Sequence, residues 1–302
     1  AAERAQLEMA TSAWPIALDA MPPPLRRGLA EFSDLFGATD WPSVADLDRL
    51  RKCVEARDRR IRPAFVAQTS KLLADGLHYE TRIAERGELA TRERNSHDLY
   101  NALIWLRHPE LKWALNARQV ADVARVGPKA RTRGQCALTH FDEAGVIVWI
   151  ADEQRLAAWD RHDWSELFLT NRAGWGRDVA VTVFGHALLD HATEAEHVAT
   201  AKAIAVWVDR NSLKMHITHE TGHEFTQSAD SIIPFWAVAE RQLATAIRAG
   251  DLLADPQHLR PLPLAGIPGW HPENAEPGFF CSAPCFRPLR PGRTYPPPFA
   301  ME

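Results

Sequence analysis

The sequence predicts a predominantly helical α+β protein: a single globular domain with a small sheet and extended proline-rich termini. Apolar residues recur at helical spacing, most clearly over 97–126, while 146–150 is rich in the branched and aromatic residues that strands favour. Proline is frequent near both ends, where it disfavours regular structure. No internal repeat or hydrophilic linker divides the chain, so we expect an arm at 1–24, a core domain at 25–254 and a wrapping segment at 255–302.

The composition indicates the class of protein and the partners that it disfavours. The chain has 302 residues, of which 46% are hydrophobic and 25% charged, as in ordinary soluble globular proteins. The net charge of −4 argues against nucleic acid as the main partner, because phosphate binding needs concentrated lysine and arginine. No stretch approaches the roughly 18 apolar residues of a membrane span. Four cysteines are too few for a disulfide framework, so we expect a cytoplasmic protein without a membrane partner.

The N-terminal third contains helical patterns separated by turns. Apolar spacing predicts a helix over 25–36, and a turn at Trp41-Pro42 precedes Ser43, which is a good cap for a helix to about Ala56. The segment 65–85 mixes apolar and charged residues. It is compatible with a strand or a short helix.

The chain is organised around two successive central helices. Ser96 is a suitable N-cap for a helix over 97–107, and Pro109 ends that helix and suits the first position of the next, which should reach Val126. One face of the first helix carries leucines. The opposite face combines imidazole, amide, carboxylate and indole groups, which suit either a structural hydrogen-bond network or a functional pocket: His97, Asp98, Asn101, Trp105 and His108.

The second half of the chain alternates between strand and helix patterns. Gly127-Pro128 breaks the central helix, and Thr139, Asp142, Glu143 and Gly145 predict a polar turn that leads into the strand. The remaining expectations are a helix over 153–168, a buried apolar stretch over 201–208 and a helix over 232–248.

The sharpest short motif is His219-Glu220-Thr221-Gly222-His223. It matches the pattern in which two histidines one helical turn apart bind zinc and the glutamate acts as a general base. His216 falls on the same helical arc, and a third ligand could be His216, Asp230 or Glu240. The alternative is a polar connection without chemical function, because threonine and glycine are weak helix formers.

A second group of candidates combines residues from three parts of the chain. A histidine beside carboxylates can serve in acid–base catalysis or bind a divalent metal, although the same groups can form a structural network. The members of this group are His97, Asp98, Asn101, Asp142, Glu143 and His186. A third, weaker candidate is a zinc site formed by His271, Cys281 and Cys285, in which Pro284 interrupts the cysteine pair.

Several blocks of sequence, in order along the chain, carry a resemblance to a known family: Arg94-Asn95, His97-Asp98, Asn101, Trp105, Pro109, Lys112, Asn116, 138–145, 184–188 and 262–274. Together they resemble the bacterial domain of unknown function 3025 family. The resemblance spans roughly residues 90 to 290, and it implies membership of a family without a settled activity, so it transfers no catalytic role. The cysteine-containing segment 280–286 departs from the family pattern, which has more acidic residues there.

Together these patterns favour a metal-assisted hydrolase of a small molecule or peptide, with zinc or another divalent metal as the cofactor. The competing interpretation is a non-catalytic interaction protein with a structural polar network. The sequence contains no glycine-rich phosphate loop, dinucleotide fingerprint or Gly-x-Ser-x-Gly elbow, so nucleotide cofactors and α/β-hydrolase chemistry lack support. Oligomeric state is left open.

Overall fold

The computed structural model describes residue 14 and residues 16–127, 130–191, 199–214 and 235–301. Of the predicted arm at 1–24, residues 1–13 and 15 lie outside the described residues, while the described part contains a 3-10 turn at Leu18–Ala20 and the first two residues of the first helix. The helices are α1 Pro23–Leu29, α2 Ser33–Phe36, α3 Val44–Asp58, α4 Ser70–Leu73, α5 Tyr79–Arg86, α6 Ser96–Arg107, α7 Pro109–Val126, α8 Arg133–Ala144, α9 Glu153–Asp160, α10 His186–Asp190, α11 Phe235–Ala249 and α12 Phe279–Ser282. The strands are β1 Ala64–Ala67, β2 Glu88–Thr91, β3 Gly145–Ile150, β4 Val179–Val183, β5 Thr200–Trp207, β6 Arg260–Pro263 and β7 Phe299–Ala300.

Helix predominates over strand, which confirms the predicted fold class. The larger sheet has the order β4-β3-β5-β6, and β7 also pairs with β5. β3 runs parallel to β5 and antiparallel to β4, and all six of its residues are buried. A continuous apolar run is the pattern of a strand covered on both faces, so the strand expected at 146–150 is confirmed. β5 likewise confirms burial of the apolar stretch after Ala201.

The two central helices are confirmed, with one correction. The N-cap of α6 is Asn95 rather than Ser96: the Asn95 side chain accepts a hydrogen bond from the backbone N–H of Asp98 at 2.9 Å. Asparagine and serine are comparable caps, so their order alone could not distinguish the two. Pro109 occupies the first position of α7, as expected. α11 packs along α7.

The predicted polar turn at 139–145 is wrong, because these residues form the C-terminal half of α8 and the first residue of β3. A capping box between Thr132 and Gln135 starts α8. Its apolar residues Ala137 and Phe141 are buried one turn apart. The polar residues therefore occupy the other side of an amphipathic helix. Considered without their apolar neighbours, Thr139, Asp142, Glu143 and Gly145 have the composition of a turn.

Other boundaries differ by a few residues. Ser43 and Asp46 form the expected capping box of α3, which continues to Asp58. The helical pattern over 25–36 is divided into α1, a short 3-10 turn and α2, and segment 65–85 contains most of β1 and both α4 and α5. α9 ends at Asp160, before a π-helical turn at Glu166–Thr170.

The C-terminal segment contributes two strands to the larger sheet, where we expected only turns and extended chain. β6 pairs antiparallel with β5, and β7 pairs parallel with its far end. β6 has the sequence Arg-Pro-Leu-Pro, and proline is compatible with a strand only at the edge of a sheet. None of the helices within the described ranges is long and apolar enough to cross a membrane.

Ionisation of the buried Glu240 on α11 is expected to lower the free energy of unfolding. Its side chain is fully buried, and its Oε2 accepts a hydrogen bond from Arg60 Nη1 at 2.7 Å. Burial raises the pKa of Glu240 from 4.5 to about 7, although Arg60 opposes the shift. The folded protein therefore holds this proton more tightly than the unfolded chain, so stability falls as pH rises from 4.5 to about 7.

We expect Glu240→Gln to increase the free energy of unfolding at pH 8 by up to about 3 kcal/mol, because the amide needs no ionisation in the buried site. At pH 4.5 the variant and the parent protein should be nearly equal. Urea unfolding at both pH values measures the difference. An equal gain at both values, or a loss confined to pH 8, would contradict burial as the dominant cause.

Candidate functional site

Three side chains from three helices meet in one place. His97 lies in the first turn of α6, Glu143 near the end of α8 and His186 at the start of α10. His97 Nε2 lies 3.1 Å from His186 Nε2, while Glu143 Oε2 lies 3.4 Å from His186 Nε2 and 3.9 Å from His97 Nε2. We call these three residues the triad. Among the described residues they form the one group with metal-ligand spacing, with ligand atoms within 4.8 Å of one another.

Two glycines bring the chain segments of the triad together. The backbone N–H groups of Phe184 and Gly185 both donate to the carbonyl oxygen of Gly145, at 3.0 and 2.8 Å. A Cβ atom on Gly185 would lie 2.4 Å from the Gly145 nitrogen and 2.5 Å from the Glu143 carbonyl oxygen. Only glycine fits this approach. The close contact fixes His186 beside the end of α8.

The protonation states of the triad side chains favour metal binding. Burial lowers the pKa of His186 to about 3, so this imidazole is neutral at pH 7 and has a lone pair available. Burial raises the pKa of Glu143, and His97 opposes that shift. The Glu143 side chain is 42% exposed, whereas that of His186 is 4% exposed. The triad thus has a buried end and an end open to solvent.

A second polar group lies next to the triad and centres on Lys112 of α7. The buried Lys112 Nζ donates to Asp142 Oδ1 at 2.6 Å and to Asn101 Oδ1 at 2.9 Å, and Asn101 Nδ2 donates to the hydroxyl of Tyr79 at 2.9 Å. Burial alone would raise the pKa of Asp142, but Lys112 and the nearby imidazoles hold it below its usual range. Lys112 therefore joins Asn101 and Asp142, two members of the second group of sequence candidates.

The remaining carboxylates have different positions. Asp98 forms an ion pair with Arg92 at 2.7 Å, so its charge is directed toward the segment that precedes α6. Asp190 Oδ2 lies 4.0 Å from His97 Nδ1, on the side of that ring opposite the Nε2 in the triad. A carboxylate on the second nitrogen is a common way to orient a metal-binding histidine. Asp98 thus stands apart from the triad, while Asp190 lies beside the second nitrogen of His97 at the limit of ion-pair distance.

Sequence reasoning missed Tyr79, Lys112 and Asp190 as members of the site. Lys112 was visible only as one residue of the family resemblance. Asp190 follows His186 by four residues, the spacing of neighbours on a helix, which is a signal that could have been used. Tyr79 gives no local signal, because its contact with Asn101 depends on the packing of α5.

The other sequence candidates have separate outcomes. His216, His219, Glu220, His223 and Asp230 lie outside the described residues. Glu240, a suggested third ligand, is buried and paired with Arg60. His108 is fully buried, with its ring against Phe184 and Trp236, so this part of the polar helix face belongs to the core.

The proposed cysteine site does not form. Within the part of the chain that the structure describes, His271, Cys281 and Cys285 do not converge with metal-ligand spacing. His271 stacks on Phe279 at 4.5 Å between ring centroids. Cys281 is exposed and Cys285 is buried. Pro284 lies between them, just after the short helix α12, so the two thiols enter different environments.

Comparison with known proteins gives one match. A family model described as "Protein of unknown function (DUF3025)" matches residues 63–290. No curated protein and no solved structure matches the chain. The triad and the Lys112 group lie inside the matched range.

Proposed function

The chain belongs to the DUF3025 family of proteins of unknown function, and we propose that it is a metal-dependent hydrolase whose triad binds a divalent ion. One observation carries the proposal: two imidazole nitrogens and a carboxylate oxygen from three separate helices lie within 4.8 Å of one another. Such convergence of His97, Glu143 and His186 requires three chain segments to be positioned together.

The distances support a metal centre. Zinc binds nitrogen and oxygen at about 2.0–2.2 Å, so two ligands of a tetrahedral zinc ion lie about 3.3–3.6 Å apart. The three separations in the triad, at 3.1, 3.4 and 3.9 Å, bracket this range. Two histidines and one glutamate form the ligand set of several catalytic zinc sites, in which the fourth position remains open. The same set also suits iron or manganese.

We assign separate roles to the neighbouring groups. A metal in the triad would supply a Lewis acid that lowers the pKa of a coordinated water. Asp142 is anionic at neutral pH and can accept a proton, while the Lys112 ammonium that pairs with its Oδ1 can stabilise negative charge on a substrate. Asn101 orients Lys112, and Asp98 anchors the start of α6; both are positioning residues.

Substrate and location form part of the same proposal. We infer a small-molecule or peptide substrate, because His97 and Glu143 are partly exposed whereas His186 is buried, so a ligand can reach the triad from one side. All four cysteines are free, which agrees with a reducing compartment such as the cytoplasm.

The alternative is a binding protein whose polar centre is structural. The 3.1 Å contact between the two Nε2 atoms favours it, since one neutral imidazole can donate a hydrogen bond to the other without a metal. Glu143 would then be an acceptor at the solvent-exposed edge of that network. The two functions differ in whether the triad binds a metal.

Metal analysis of protein purified without a histidine tag tests the proposal. We expect about one equivalent of zinc, manganese or iron, and a thermal stabilisation of about 2.7 kcal/mol when the metal is present at a hundred times its Kd. His97→Ala and His186→Ala should each lose the metal. His271→Ala, which removes a histidine remote from the triad, is the matched control and should retain it.

Two other outcomes would redirect the assignment. Metal that survives His186→Ala but is lost in His223→Ala would move the site to the His219-Glu220-x-x-His223 motif. If the parent protein contains no metal and added metal does not raise its thermal stability, the structural network is the remaining explanation. If metal binds, a panel of ester, peptide and phosphoester probes tests hydrolysis, and turnover that persists in His186→Ala would exclude the triad as the catalytic centre.

A further inference from the structure

A large cleft lies beside the edge of the five-stranded sheet, apart from the triad. Its volume is about 1130 Å³, which exceeds that of most small-molecule sites. It lies between β5 and the C-terminal chain that follows Pro284. We call it the basic cleft after its charged and polar lining residues: His140, Lys202, Arg287, Arg290, Arg293 and Tyr295.

The described lysine, arginine, aspartate and glutamate residues that line the basic cleft are all cationic. The cleft is lined by four lysine and arginine side chains, and none of the described residues that line it is an aspartate or glutamate. This contrasts with the whole chain, whose net charge is −4. Among the described residues, Lys202, Arg287, Arg290 and Arg293 have no carboxylate partner, unlike Arg260 just behind them, which pairs with Asp160 at 2.7 Å. Four cations without counter-charges attract an anion.

The interior of the cleft places cations against one another. Burial lowers the pKa of Lys202, and Arg287 lowers it further; burial and Lys202 together lower the pKa of His140. These groups therefore face the same half-buried space. Arg293 lies over the Tyr295 ring at 4.6 Å, and its guanidinium donates to the backbone carbonyl of Gln257. Lys202 and Arg287 therefore repel each other, and an anion bound between them would relieve that repulsion.

We propose that the basic cleft binds a small molecule that carries two phosphate groups. Each phosphate has a charge of about −1.5 to −2 at pH 7, so two of them match the four cations. Arginine supplies planar, bidentate donors for phosphate oxygens, and Lys202 supplies a point charge deeper in the cleft. A nucleic acid polymer is less well matched, because the cations are confined to one concave site rather than spread along a surface stripe.

The cleft is independent of the metal assignment. His140 precedes Glu143 by one helical turn on α8, so the two sites are neighbours, yet the cleft is defined by β5 and the C-terminal chain. A binding test on chelator-treated protein therefore gives a result that does not depend on the triad.

Isothermal titration with inorganic pyrophosphate, without divalent metal, tests the proposal. We expect one site, weakened at least about tenfold in Arg287→Gln/Arg290→Gln and in Lys202→Met. The matched control is Arg49→Gln/Arg125→Gln, which removes two exposed arginines that pair with the aspartates three residues earlier, Asp46 and Asp122. The control should bind within about twofold of the parent protein, because screening limits the effect of remote surface charges.

Several results would overturn the proposal. They are no binding of pyrophosphate at millimolar concentration, equal weakening in the control and the cleft variants, tighter binding of citrate than of pyrophosphate, and tighter binding of a single-stranded oligonucleotide than of pyrophosphate. Retained binding in both cleft variants would also overturn it. Thermal unfolding of each variant distinguishes a lost site from a lost fold, and little loss of stability is expected from Arg287→Gln/Arg290→Gln because both residues are exposed.

Discussion

Gly185→Ala is expected to destabilise the protein by about 3 kcal/mol or more and to abolish metal binding by the triad. The added methyl group would lie 2.4–2.6 Å from three backbone atoms of residues 143–145. Backbone atoms of a helix end and a buried strand cannot move aside as a flexible side chain can. The start of α10 must therefore shift, and His186 shifts with it away from Glu143.

Urea unfolding and zinc titration of the purified variant measure the two effects. Gly278→Ala is the matched control, because a Cβ atom there meets nothing within 4 Å. It should keep the stability within about 1 kcal/mol and the metal affinity of the parent protein. A folded Gly185→Ala protein that binds zinc as tightly as Gly278→Ala would contradict the role assigned to this contact.

The helices and the central strand could be predicted because their signals are local. Asn95 to Arg107 combines a cap with an apolar face, Pro109 marks a helix start, and the run after Gly145 contains only strand-favouring residues. α8 was misread for a physical reason. Its polar residues were considered without the buried Ala137 and Phe141, whose spacing shows that the same segment is an amphipathic helix.

The triad could be predicted only in part. His97, Glu143 and His186 were among the candidates because imidazoles and carboxylates are the groups that bind metals. Their separation from Asp98 and Asn101 could not be read from the sequence, since Asp98 pairs with Arg92 and Asn101 with Lys112. Such pairings depend on the packing of α6 against α7 and the segment before α6. Residue type identifies candidates, whereas tertiary contacts decide their partners.

The contact between Lys112 and Asp142 predicts a large loss of stability when one of the two charges is removed, and a much smaller loss when both are removed. Lys112 is 4% exposed, and its Nζ lies 2.6 Å from Asp142 Oδ1. We expect Lys112→Met to lower the free energy of unfolding at pH 8 by about 2–3 kcal/mol, because it leaves a carboxylate largely out of water without a counter-charge. The value is below that of a fully buried pair because the Asp142 side chain is 26% exposed.

The double variant Lys112→Met/Asp142→Asn distinguishes this cause from lost packing. With both charges removed, no uncompensated ion remains, so most of the stability should return, and the two substitutions should be strongly non-additive in urea unfolding. Lys52→Met is the control and should change stability by less than about 1 kcal/mol, because the exposed Lys52 is one of two cationic partners of Asp48 and Arg51 remains paired with that carboxylate. Additive losses would instead show that the Lys112 side chain stabilises the fold through its contact with Trp105, 5.4 Å from the ammonium. The charge explanation also requires the loss in Lys112→Met to shrink as pH falls, because protonation of Asp142 removes the unpaired charge.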